Sequence, residues 1–231
     1  MTNKTKTAVL EVIAVTLEDA VEAERGGAGR LEVVRELAQG GLTPEIGLVE
    51  EMRGRVKIPL RVMLRTTPDF APTGLDELAR AAEKLAALEV DGVVLGFLDD
   101  AGGLDLESLR AVLSAAPGLP ATFHRAFEAV ADQGAALEAL IEEPQVDRIL
   151  TSGRPAPEDE RVAALGRLQD RAGDRLTILA GGGMDLETAR ELIGRTSVRE
   201  IHIGTAARSP ALLDAPVDRV KVKSFQVTSG M

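Results

Sequence analysis

Polar side chains interrupt otherwise apolar runs of this sequence at Glu11, Glu32, Arg61, Arg65, His124, Arg125 and His202. Charge is costly on a strand face packed by apolar neighbours. These groups are therefore expected to gather where opposite charges pair and water enters. Side chains alternate along a strand, which puts Arg61 and Arg65 on one side, Glu11 with Ile13, and His124 with Thr122. Such a set can move protons. Glu11 or Glu32 would act as general base and His124 as general acid titrating near neutral pH, with His202 as a second imidazole. Arg65 and Arg125 would hold negative charge. The competing reading is a purely structural ion network.

A second set of residues suits an anion. The apolar run 176–180 leads into Gly181, Gly182 and Gly183, and a helix is expected from about Asp185. Glycines leave backbone amides unobstructed, and a helix start adds unpaired N–H groups. Gly204 and Thr205 follow another apolar run at 200–203, and Ser152 in Thr151-Ser152-Gly153 offers a hydroxyl. Together these would cradle a phosphate or another small anion. Asp185 reads as the helix N-cap rather than a ligand contact. Ser152 lacks the nucleophile-elbow pattern of a serine hydrolase.

The elements that must position these groups alternate along the chain. Strand candidates fall at 9–14, 30–34, 58–64, 92–98, 120–123, 146–151, 176–180 and 200–203. Helical spacing falls at 17–25, 75–88, 104–116, 131–142, 159–172 and 186–193. Thr43 is expected to cap a further helix with Pro44 at its first position. Alternation of this kind predicts an α/β chain folded as a (β/α)8 TIM-type barrel, with the glycine turns after the seventh and eighth strands. No G-x-G-x-x-G follows the first strand, against a dinucleotide fold. Residues 8–209 are expected to form the single barrel domain. Residues 1–7 read as a flexible tail. Residues 210–231 read as an irregular segment with an atypical or shortened final helix.

Composition narrows the function classes. Of 231 residues 45% are hydrophobic but only 2% aromatic, so the core must be aliphatic, with Phe123 and Phe127 inside it. The net charge of -10 argues against nucleic-acid and anionic-membrane partners. With no cysteine, neither a disulfide nor a thiolate ligand is available. No apolar run reaches membrane length and no signal segment is recognised, so a cytoplasmic protein is expected. Position 148 is arginine, which counts against a Schiff-base lysine at the end of the sixth strand.

Several fragments together resemble a known family. They are Leu10-Glu-Val12, Gly29-Arg-Leu-Glu32, Gly40-Gly-Leu-Thr-Pro44, Met63-Leu-Arg65, Thr122-Phe-His-Arg-Ala-Phe127, Leu150-Thr-Ser-Gly153, Leu179-Ala-Gly-Gly-Gly183 and Ile201-His202. In this order the sequence resembles the CutC family, described as copper homeostasis proteins. The resemblance implies a TIM-like barrel, often dimeric and cytoplasmic, with a polar central site at the counterparts of Glu11, Glu32, Arg65, His124 and His202. It also implies a copper ion as cofactor. Many members carry cysteine where this chain has Ala14 and Val34, so thiol ligation of copper is excluded and the metal ligands are unknown. Three functions stay open: copper handling, a metal-independent isomerase, lyase or hydrolase acting on a small phosphorylated or anionic metabolite, and a ligand-binding barrel without turnover.

Overall fold

The computed structural model describes residues 8–226. The expected tail at 1–7 and the end of the chain after Gln226 lie outside them. Eight parallel strands close into a barrel in chain order. They are β1 Val9–Ala14, β2 Arg30–Val33, β3 Leu60–Met63 and β4 Gly92–Leu95, then β5 Ala121–Phe123, β6 Val146–Thr151, β7 Thr177–Ala180 and β8 Glu200–Ile203. Closure is made by β1 against β8, with Glu11 opposite His202. The surrounding helices are α1 Leu17–Gly26, α2 Ile46–Arg55, α3 Leu75–Ala87 and α4 Leu106–Leu113, then α5 Gln133–Ile141, α6 Arg161–Ala172, α7 Leu186–Arg195 and α8 Arg219–Ser224. The expected barrel is thus the observed one, and the last helix is short.

The strands are buried on both faces, as parallel sheets are. Outward residues such as Val12, Leu31, Val62 and Ile203 join the aliphatic layer under the helices, and Phe123 and Phe127 lie in it fully buried. Inward residues alternate with these and differ in character. A small apolar group of Ile13, Val34, Met63 and Val94 occupies part of the interior. The rest is charged. Arg30 donates to Glu11 and to Glu200, and Arg148 reaches Glu200 at 2.8 Å. Arg148 also pairs with Asp147, which receives Arg61 through both terminal nitrogens at 2.8 and 2.6 Å. Arg61 adds a bond to Thr122 at 2.9 Å. Guanidinium groups therefore fill space that this nearly aromatic-free sequence cannot fill with rings.

Local signals set most boundaries. Asp185 caps α7 by accepting from the Thr188 amide at 2.8 Å, as its spacing indicates. Thr43 does not cap a helix. Its hydroxyl and backbone bond the backbone of Arg65, and α2 begins two residues beyond Pro44, after Glu45. The fourth strand stops at Leu95, not near residue 98, because Leu98 turns to bridge Leu104.

The Arg30 cation lies between two buried carboxylates. Replacing it as Arg30→Met should lower unfolding free energy by about 3–5 kcal/mol, since Glu11 is left with His202 alone and Glu200 with Arg148 alone. Urea denaturation at neutral pH measures this. A loss under about 1 kcal/mol would show that the interior charges do not depend on Arg30.

Candidate functional site

A cavity of about 600 Å3 opens at the carboxyl ends of the strands. That is the end at which TIM-type barrels carry their ligands. Of the residues expected to do chemistry, Glu32, Arg65, His124, Arg125 and His202 all line it. Gly182, Gly183, Gly204 and Thr205 line it too. Glu11 lies beneath, Ser152 and Gly181 stand behind the lining, and Arg61 belongs to the ion network deeper in the barrel.

Glu11, His202 and Glu32 form the acidic side. His202 Nδ1 bonds Glu11 Oε1 at 2.8 Å, which fixes the ring and leaves Nε2 3.8 Å from Glu32 Oε2. That gap is too long for a hydrogen bond. Burial alone would raise the Glu11 carboxyl, but Arg30 and His202 hold it well below the usual carboxylate range. Both its oxygens are occupied, so Glu11 is not the free base expected of it; it orients His202. Glu32 is different. One oxygen has no partner among the described residues, and burial pushes its carboxyl up to about 7. Burial works against the His202 imidazolium, but Glu32 and Glu11 raise it above the ordinary histidine range. A carboxylate near neutrality thus faces an imidazole that favours its proton, the pattern of an acid–base pair.

His124 departs from expectation. Its Nδ1 accepts from the Ala126 amide at 3.3 Å, so the ring proton is on Nε2, which has no partner among the described residues. Burial, with help from Arg65 and Arg125, pushes it down to about 3. His124 is therefore a neutral N–H donor at physiological pH, not the general acid expected. Gly96 makes its place: a Cβ there would lie 2.8 Å from Nδ1.

The glycine turns are partly as expected. The Gly181 amide is already used, donating to the Thr151 carbonyl at 2.9 Å. Gly181 matters instead as space, since a Cβ would crowd His202 at 3.1 Å. Gly182 and Gly183 adopt left-handed backbone, φ 73° and 80°, which favours glycine. The amides of Gly182, Gly183, Gly204, Thr205 and Ala206 bond no group among the described residues. The Ser152 hydroxyl is buried, away from the cavity lining.

Sequence reasoning missed several supports. Arg161, 4% exposed, ties the Ser152 and Gly182 carbonyls together at 2.7 and 2.9 Å. Glu128 accepts from the Ser152 amide at 2.6 Å and from Arg125 at 2.7 Å. Arg30 and Glu200 belong to the alternating patterns R-L-E and E-I-H, in which the charge sits two residues from a recognised site residue. Leu213, in the irregular segment, also lines the cavity. Buried Arg208 holds that segment by bonding the Ala215 carbonyl and Asp19.

The CutC family model matches residues 8–207. The chain belongs to the CutC family. A CutC family protein of Xanthomonas campestris pv. campestris is 37% identical over 210 residues, covering 90% of this chain and 87% of that protein. The copper homeostasis protein cutC homolog of Mus musculus is 36% identical over 197 residues, covering 84% and 72%. The crystal structure of a CutC protein from Streptococcus agalactiae aligns with TM-score 0.78 and 28% identity, covering 85% of this chain and 98% of that one. No helix among the described residues is long and apolar enough to cross a membrane.

The upward shift of Glu32 carries a pH signature. The folded protein binds this proton more tightly than the unfolded chain, so Glu32 draws stability down as pH rises from about 4.5 to about 7. Glu32→Gln should remove that decline, gaining on wild type as pH rises through this window. Urea midpoints measured from pH 5 to 8 check it. Parallel curves would mean that Glu32 titrates normally.

Proposed function

We propose that this CutC-family barrel is an acid–base enzyme that moves a proton on a small anionic metabolite, in the manner of an isomerase or lyase. The observation that supports this most is Glu32: a buried carboxyl near neutrality, one oxygen unpartnered, lining a cavity and facing an oriented histidine. In this reading Glu32 takes a proton from carbon beside a carbonyl. The C–H pair becomes the new C=C bond and the carbonyl π pair moves to oxygen, where His202 delivers its Nε2 proton. Glu11 keeps the His202 ring aligned through Nδ1. Amides at Gly182, Gly183, Gly204, Thr205 and Ala206, with Arg125 beside them, favour an anionic substituent such as phosphate. A dimer is the assembly that the family resemblance implies.

Relatives of this chain in Mus musculus and Homo sapiens are named copper homeostasis protein homologs. A cuprous ion favours soft sulfur, and the cavity lining offers it the thioethers of Met63 and Met184 but no thiolate, which is a weak donor set for a strong site. There is no thiolate, and the cavity-side nitrogen of His124 carries a proton. Among the described residues no group of three or more His, Asp or Glu is arranged to hold a metal. A cuprous titration followed by calorimetry should give equally weak binding for wild type and His124→Ala; tight binding lost in the variant would restore the metal reading.

The enzyme reading is tested by incubating the protein in D2O with small phosphorylated and carboxylated carbonyl compounds. Proton NMR should show deuterium entering beside the carbonyl of at least one compound. Glu32→Gln should slow that exchange by about 100-fold or more. Exchange unaffected by Glu32→Gln, or none with any compound, would count against the proposal.

A further inference from the structure

Across the cavity from the glycine turns, two buried side chains have donors to spare. Arg65 is 8% exposed and makes no ion pair within salt-bridge distance among the described residues. Its nearest acidic neighbour, Asp69, directs its carboxylate to the Thr67 hydroxyl and the Ala71 amide at 2.9 and 3.2 Å. The guanidinium instead donates to three backbone carbonyls: Nε to Asp69 and Nη1 to Gly40, both at 3.3 Å, and Nη2 to Pro68. A guanidinium has five N–H donors. Three are engaged, which leaves one on each terminal nitrogen.

The second donor is His124 Nε2–H, on a ring 3% exposed. Arg65 and His124 pack on the same aromatic ring. The Arg65 guanidinium lies 4.9 Å from the Phe70 centroid, and the His124 ring centroid lies 5.3 Å from it. The Arg65 backbone is fixed in turn by Thr43, through bonds of 2.8 to 3.1 Å. The donors are thus preorganised, on a buried cation that has three carbonyl acceptors and the influence of Asp69 but no ion pair among the described residues, whereas buried charges are normally paired.

We infer that Arg65 and His124 form a carboxylate-binding subsite, so that the substrate is a small carboxylic acid anchored on this wall of the cavity. Two donors on adjacent guanidinium nitrogens match a carboxylate better than a single carbonyl oxygen. The neutral imidazole N–H supplies a third bond without adding a second charge. This inference rests on the proposed function for its place in a reaction, and it names the substrate class which that reading leaves open. The subsite requires neither Glu32 nor His202.

The chain has two histidines, so protein labelled with 15N-histidine gives a simple spectrum in which His124 can be followed. The probe is succinate, with succinamide as its uncharged counterpart. Succinate should shift the His124 Nε2 signal saturably below about 50 mM, and succinamide should not. Arg65→Met should weaken succinate binding by at least about tenfold. Arg65→Lys, which keeps charge but not the fork, should lie between the two and serves as the readout where Arg65→Met does not fold. The idea is overturned by the absence of a saturable shift in wild type, by equal shifts from succinamide, or by wild-type affinity in the Arg65 variants. Deuterium exchange reads Glu32 and His202, whereas this titration reads Arg65 and His124, so either proposal can fail without the other.

Discussion

One cation between two acids governs the interior of this barrel. Arg30 bridges Glu11 and Glu200, with His202 also on Glu11 and Arg148 also on Glu200. Each link has a consequence at the next. Because Glu11 is kept charged, it can hold His202 by Nδ1. Because His202 is held and favours its proton, its free nitrogen faces Glu32 with a defined character. The cavity chemistry thus rests on a charge pair one register position below it. Buried ion networks are weak evidence for stability in general. Here the geometry suggests what the network does besides packing: it sets the protonation of a histidine two groups away.

The two sides of the cavity are electrically distinct. Glu32 and His202 are shifted toward holding protons, and Glu11 beside them stays ionised. Arg65 and His124 hold donors that do not titrate in the ordinary range, one because it stays a cation and the other because burial keeps it neutral. In the proposed reading one face binds and the other reacts. Glycine makes the arrangement possible in two places, by leaving room for the rings of His124 at Gly96 and His202 at Gly181.

Much of this was legible in the sequence. Val9–Ala14, Val146–Thr151 and Glu200–Ile203 are strands at the expected residues, because β-branched and aliphatic runs there meet clear breakers. The polar residues inside strands converge as alternation predicts. The errors have physical causes. Thr43 followed by Pro44 is a sound capping signal, but tertiary bonding to Arg65 claimed the hydroxyl first. His124 looked like a titrating acid because sequence gives residue type and not desolvation. Glu11 and Glu32 are the same residue type, and only the closed sheet puts the Arg30 guanidinium on one and not the other. The Arg30–Glu200–Arg148–Asp147–Arg61 chain depends on which strands are neighbours in a closed sheet, and no local pattern gives that.

The irregular segment after the eighth strand carries a last consequence. The family match ends at residue 207, yet Leu213 forms part of the cavity wall and is held there through buried Arg208. The portion matched by the family therefore carries Glu32, Arg65, His124 and His202, while a stretch beyond it shapes the rim. The width of the cavity mouth can then change while the polar groups beneath it stay as they are.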